Sequence, residues 1–174
     1  MGLASAAPLE PSLAPFDVLI KDITESSFVD IARDLGHKRL SPADGFLAFP
    51  IKGLFYGPSN RIFLPLVVSS AKRGPINVLF LVDTGAPMSF LREDTLEALG
   101  FTESIPSSAT VLIQGLRISV GLSSESFANV DLLGQDFLTR MGGLLTVNYR
   151  DFSCELSFLP PLETGGETPI STYR

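Results

Sequence analysis

The chain has one cysteine, one histidine and no tryptophan among its 174 residues, and each shortage removes a class of chemistry. A lone Cys154 cannot close a disulfide within the chain, and a lone His37 cannot build a histidine metal site. A Cys/His nucleophilic pair would rest on one residue of each kind, and a Ser/His/Asp triad would need the same histidine. Cys154 reads instead as an inert, half-buried thiol. Charge is sparse, at 18% of residues, and leans acidic: 13 Lys and Arg stand against 19 Asp and Glu, giving a net charge of -6 and a pI near 4.7. That balance argues against a nucleic-acid partner or an anionic membrane surface, both of which select clustered basic residues. Long apolar runs are missing as well. The opening MGLASAAPLEPSLAPF has no basic stretch and is broken by Pro8, Pro11 and Pro15, so it reads neither as a signal peptide nor as a membrane span. Ala6 stands where a myristoylation signal carries Ser or Thr. An intracellular, cytoplasmic protein without a membrane partner is the expectation. No internal repeat is visible, which excludes solenoids and propellers.

What is present suffices for one core. Hydrophobic residues make up 45% of the chain, and the mean hydropathy is +0.30, so global disorder is excluded and the length fits a single domain. The first fifteen residues and the closing PPLETGGETPISTYR are rich in Pro, Gly, Ser and Thr and are expected to be mobile tails, as if cut from something longer. Phe28, Ile31, Ala32 and Leu35 fall at helical spacing and predict a helix over 27–38, with Ser27 as its N-cap and Gly36 near its stop. From Arg61 onward, short runs of Val, Ile, Leu and Phe alternate with Gly, Pro, Ser and Asn, the texture of an all-β domain. Strands are expected at 62–69, 77–82, 109–113, 117–121, 144–149 and 153–158, with short helices at 93–99 and 135–140. The chain then divides into an N-terminal extension over 1–45, partly disordered, a domain over 46–160 and a disordered tail over 161–174.

The informative stretch is NVLFLVDTGAPMS. Five consecutive apolar residues, Val78–Val82, deliver Asp83 into a Thr84-Gly85-Ala86 turn, so an acid is held at the end of a buried strand. An ordinary strand-ending turn would also use Asp and Gly. Downstream, Leu132-Leu133-Gly134 is followed by Asp136-Phe137-Leu138. Strand, DTGA, Ser89, helix, further strands and Leu-Leu-Gly, in this order over about residues 61–159, resemble the retropepsin-like family of retroviral and retroelement-type aspartic proteases.

The resemblance implies a closed β-barrel equivalent to half of an acid protease, with one or two short helices and no metal or cofactor. It also implies an aspartic endopeptidase that takes polypeptide substrates as a homodimer. Asp83 would be the catalytic acid/base, and Thr84 would hydrogen-bond across the dimer. Gly85 would let the substrate backbone approach, and Ala86 would line the cleft. Ser89 would support the loop, although an ordinary strand hydroxyl is an equal reading. Leu132, Leu133 and Gly134 would be architectural, with the glycine permitting a strand to pass beneath the loop. Asp136 would make a contact at a helix N-terminus rather than take part in catalysis. The segment 153–158 would interleave with its mate. Physical chemistry agrees with the dimer: two carboxylates about 3 Å apart cannot both ionise, and one shared proton lets one activate water while the other protonates the leaving nitrogen. The chain offers one Asp-Thr-Gly, because Asp44-Gly45 lacks the threonine and Asp131, Asp136 and Asp151 are not followed by Thr-Gly or Ser-Gly.

Two features depart from the family. Pro87 and Gln135 stand where several retroviral members carry an acid and an arginine that pair, so both halves of the pair are absent together. Between Gly100 and Thr110 there is no glycine for the usual flap over the substrate, and the candidate lid is a short hairpin over Ile105, Pro106, Ser107 and Ser108. The alternative to an active enzyme is a retropepsin-fold dimerisation or peptide-binding module, weak or inactive in catalysis. A retroelement polyprotein fragment is a further reading.

Overall fold

Alternating runs of apolar residues and turn formers become strands in the computed structural model, which describes residues 22–158. The expected tails at either end lie outside the described residues. In chain order the elements are α1 (Glu25–Leu35), β1 (Ile51–Tyr56), β2 (Arg61–Ser69), β3 (Ile76–Val82), β4 (Phe90–Leu91), α2 (Glu93–Ala98), β5 (Ser108–Ile113), β6 (Leu116–Leu122), β7 (Asp131–Leu133), α3 (Gln135–Met141), β8 (Gly143–Asn148) and β9 (Ser153–Phe158). The strands follow the order β3-β7-β4-β6-β5-β2, and β2 pairs again with β3, so six strands close into a barrel. On its other edge β2 is shared, pairing with β1 over Arg61–Phe63 and with β5 at Val68 and Ser69. From β1 the sheet continues outward through β9 to β8.

The uninterrupted apolar run in β3 is explained by burial on two sides. Val78 and Phe80 face the barrel interior with Leu64, Leu66 and Val68 of β2, whereas Leu79 and Leu81 share a second core with Phe63, Ile23, Phe28, Ile31 and Val130. The second core lies under α1. The helix occupies 25–35 rather than 27–38, because Thr24 is its N-cap and Gly36, at φ 69°, ends it. Ser27 sits one turn in, where its Oγ accepts the Thr24 N–H at 3.1 Å. Residues after the helix stay on the barrel: Leu40 N–H donates to Asn77 O at 2.7 Å, and Asn77 N–H donates to Ser41 O at 2.9 Å. The compact body therefore takes in residues from Ile23 onward instead of starting at 46.

Strand β1 is not among the expected strands, and it carries Gly53 in its interior. A Cβ there would lie 2.3 Å from Phe63 O and 2.5 Å from Cys154 Sγ, so the strand accepts glycine because its neighbours leave no room for anything larger. Cys154 is buried in β9, and that burial pushes its thiol up to about 11. Both edges of β9 are taken within the chain, by β1 and β8, so residues 153–158 are not free to interleave with a second copy. Among the described residues β8 ends the sheet with an unpaired edge.

If α1 is part of the core, truncating its fully buried Ile31 should be felt by the whole domain. Ile31→Ala is expected to lower unfolding free energy by about 2–5 kcal/mol in a single urea transition. A separate early transition, with the barrel unaffected, would show the helix to be an appendage.

Candidate active site

Strand β3 ends at Val82, and the chain turns at once, with Ala86 N–H donating to Asp83 O at 3.2 Å. One oxygen of the Asp83 carboxylate accepts the Gly85 N–H at 2.8 Å, which fixes the orientation of the acid. Asp83 is half-buried, Thr84 and Gly85 are exposed, and Ala86 is half-buried, so the loop presents its tip at the surface. Its base is tied down. Asp83 N–H donates to Leu133 O at 3.0 Å, and Gln135 N–H donates to Ala86 O at 2.9 Å. The Gln135 side-chain amide donates to Thr84 O.

The strand that does the holding is β7. It runs parallel to β3, with Phe80, Leu81 and Val82 opposite Asp131, Leu132 and Leu133, and antiparallel to β4 at Leu132 and Phe90. It passes between the strand that enters the loop and the strand that leaves it. Gly134 follows it beneath the loop, where an added Cβ would lie 2.4 Å from the Met88 carbonyl atoms and 3.0 Å from Ala86 O. No side chain fits there without displacing backbone.

Ser89 and Asp136 lock the far side of the loop. Ser89 is fully buried; its Oγ donates to Asp136 Oδ1 at 2.7 Å and accepts the Gly134 N–H at 3.0 Å. Ser89 N–H reaches Asp136 Oδ2 at 3.1 Å, and Phe137 N–H reaches Oδ1 at 2.8 Å. The Asp136 carboxylate is thus occupied by the loop and by the first turn of α3. Asp131 is occupied as well, since it accepts from Arg92 N–H at 2.8 Å and from Thr95 Oγ at 3.0 Å.

Residues 105–108 are placed differently from the hairpin expected of them. Ile105 and Pro106 are half-buried, with Ile105 packed on the barrel core; Ser107 O accepts the Leu122 N–H at 2.9 Å, and Ser108 already begins β5. The reversal comes later, at Gln114 and Gly115, with φ of 47° and 82°. Two successive positive φ values suit a tight hairpin, and Gln114-Gly115 can supply them more readily than Pro106-Ser107, where proline holds φ negative.

An Asp-Thr-Gly-Ala loop at the end of β3, with Leu-Leu-Gly threaded beneath it in a closed barrel, settles the architecture. The fold is retropepsin-like. Among solved structures, the chain is similar to a retropepsin-like aspartic protease from Rickettsia conorii, at 19% identity and a TM-score of 0.44, covering 68% of this chain and 97% of that one. It is also similar to the retroviral protease-like domain of Ddi1 from Leishmania major, at 18% identity and a TM-score of 0.33, covering 59% and 96%. No protein-family model matches the chain, and a comparison with curated proteins finds no significant match.

Sequence reasoning noted Gln135 as a lost charge and missed its bond to the loop. The signal was the simultaneous loss of the acid at 87, which removes the partner an arginine would need and leaves a neutral donor free to serve backbone. Gly134→Ala tests the threading. Overpacking against the Met88 carbonyl should cost about 3 kcal/mol in thermal or urea unfolding, at the upper end for an extra methyl in a tight site. Wild-type stability would mean that the loop does not rest on Gly134.

Proposed function

We propose that the protein is an aspartic endopeptidase that hydrolyses polypeptides as a homodimer. The observation that supports this most directly is a single carboxylate, Asp83, on a loop whose base is held from within the chain while its tip, Thr84-Gly85, faces outward. The carboxylates on β7 and α3 are committed to other partners, so among the described residues of the loop and its supports one acid, Asp83, is left to the site. A two-fold axis through the exposed tip brings the second acid from an identical loop.

In that arrangement the two Asp83 carboxylates share one proton. The ionised one takes a proton from water as it attacks the peptide carbonyl carbon, and the protonated one gives its proton to the carbonyl oxygen; the proton taken from water then passes to the leaving nitrogen, and a hydroxyl of the tetrahedral species returns its proton to the other carboxylate as the C–N bond breaks. Thr84 donates across the axis to stiffen the paired loops, Gly85 leaves room for the substrate backbone, and Ala86 lines the cleft. An extended peptide lies across both copies like an added strand, with alternate side chains in apolar pockets. Among the described residues the edge of β8 is unpaired and offers the two copies a second place to join.

Cleavage of a mixed protein substrate such as casein, with and without a pepstatin-type inhibitor, is the deciding experiment. Asp83→Asn should lower turnover on the order of 10²–10⁴-fold. Because each site needs both acids, excess Asp83→Asn protein added to wild type should also suppress wild-type activity by forming mixed dimers. The reading fails if proteolysis survives the substitution, or if sedimentation finds a monomer at every concentration with inhibitor present. A bell-shaped pH profile is expected, because either a second proton or none disables the pair.

A further inference from the structure

Asp131 is fully buried, yet it carries a carboxylate at the start of the strand that holds the active-site loop. Its Oδ1 accepts the Arg92 backbone N–H at 2.8 Å, and its Oδ2 accepts the Thr95 hydroxyl at 3.0 Å. Arg39, from the segment that follows α1, completes the shell. Its Nη2 lies 3.5 Å from Asp131 Oδ2, 2.9 Å from Thr95 Oγ and 2.7 Å from Asp94 Oδ1, while Nη1 donates to Asp94 Oδ2 at 2.8 Å. Arg39 is 12% exposed and lies over the Phe28 ring at 5.3 Å, with the Arg92 guanidinium on the same ring at 5.1 Å. Arg92 reaches Glu25 and, at 3.0 Å, Asp94 Oδ2. The charged groups around Asp131 are therefore Arg39, Arg92, Asp94 and Glu25, drawn from α1, the segment after it, the junction of β4 with α2, and α2 itself.

The position of Asp131 matters because the loop from Asp83 to Arg92 is fastened to one short strand at both ends. At its start, Asp83 N–H is held by Leu133 O; at its finish, Arg92 N–H is held by the Asp131 side chain. A buried carboxylate is tolerated only while it is paired. Burial pushes the Asp131 carboxyl up, and Arg39, the Arg92 amide and the Thr95 hydroxyl draw it back. Lysine would bring charge without the planar fork that bridges Asp94, Thr95 and Asp131 together.

We infer that Arg39 is a positioning residue for the active-site loop, acting through Asp131 on both fastenings of residues 83–92. This rests on the reading of Asp83 as the catalytic acid for its consequence in turnover, but the fastening itself can be measured without turnover. Amide hydrogen exchange at Asp83 and Arg92, followed by NMR against the remote β5 amide of Val111, reads the loop directly. In Arg39→Met, exchange at Asp83 and Arg92 should rise about tenfold or more relative to Val111, because an unpaired buried carboxylate must be relieved locally. Arg39→Lys should fall between, and Arg39→Met combined with Asp131→Asn should return both amides toward wild type, since a neutral amide oxygen still accepts from Arg92 N–H.

In the same series kcat should fall about tenfold in Arg39→Met with KM within about twofold, and recover in the double variant. Unchanged exchange at the two amides in Arg39→Met overturns the inference, as does a double variant no better than the single one. If Arg39→Met does not fold, the double variant decides: protected amides uphold the inference, and failure to fold overturns it. Selective, rescuable exchange in a protein that cleaves nothing would uphold the fastening and reject the catalytic reading.

Discussion

The site depends on one three-residue strand. Between Asp131 and Leu133, β7 accepts a loop amide at each end and lies parallel to β3 along its length, and Gly134 then carries the chain under the loop it has just fastened. A carboxylate on a mobile loop has no fixed distance to its neighbours, and that distance sets how readily it holds a proton. Backbone bonds give that rigidity without adding charge to the exposed tip. The same economy explains Gln135: its neutral amide reaches Thr84 O, holding the outermost turn from inside its own chain.

That strand is secure only because the barrel is covered on the outside. β3 delivers Asp83 through residues buried on both faces, and its outer face is completed by α1 through Phe28 and Ile31. The helix is thus coupled twice to the loop, by apolar packing beneath β3 and by the cations that surround Asp131. Two cations share the Phe28 ring, and both are also engaged by carboxylates, so the aromatic orders the guanidinium groups while the acids neutralise them. One Arg39 atom, Nε, is buried with no hydrogen-bond partner among the described residues, while both terminal nitrogens of its fork are engaged.

Much of this was legible in the chain because period and punctuation agree with the fold. The expected strands at 62–69, 77–82, 109–113, 117–121, 144–149 and 153–158 coincide with observed ones to within a residue or so at each end, and the helices at 93–99 and 135–140 likewise. Three strands escaped for different reasons. β4 and β7 are two and three residues long, too short to show a period, and β1 carries the glycine that its crowded neighbours demand. The compact body reaches beyond 46–160 because the five-residue apolar run of β3 needs a cover on each face, and α1 supplies the outer one. The hairpin expected at 105–108 is not formed there, because Pro106 holds φ negative and the segment leads directly into β5. Side-chain partners such as Arg39 with Asp131 are 92 positions apart, and no local pattern connects them.

The exposed tip of the loop and the engagement of the nearby acids are set by the same packing. Had Asp136 or Asp131 been unpaired beside Asp83, a single chain could hold two carboxylates and share a proton alone. Instead Asp136 is bound by Ser89, Gly134 fills the remaining acceptor site on that serine, and Asp131 is enclosed by α2 and Arg39. Each of these bonds that makes the loop rigid also engages a neighbouring acid. Rigidity of the loop and the separation of Asp83 from other free carboxylates therefore arise from the same contacts, and loosening Ser89 or Asp136 would weaken the first before it could relieve the second.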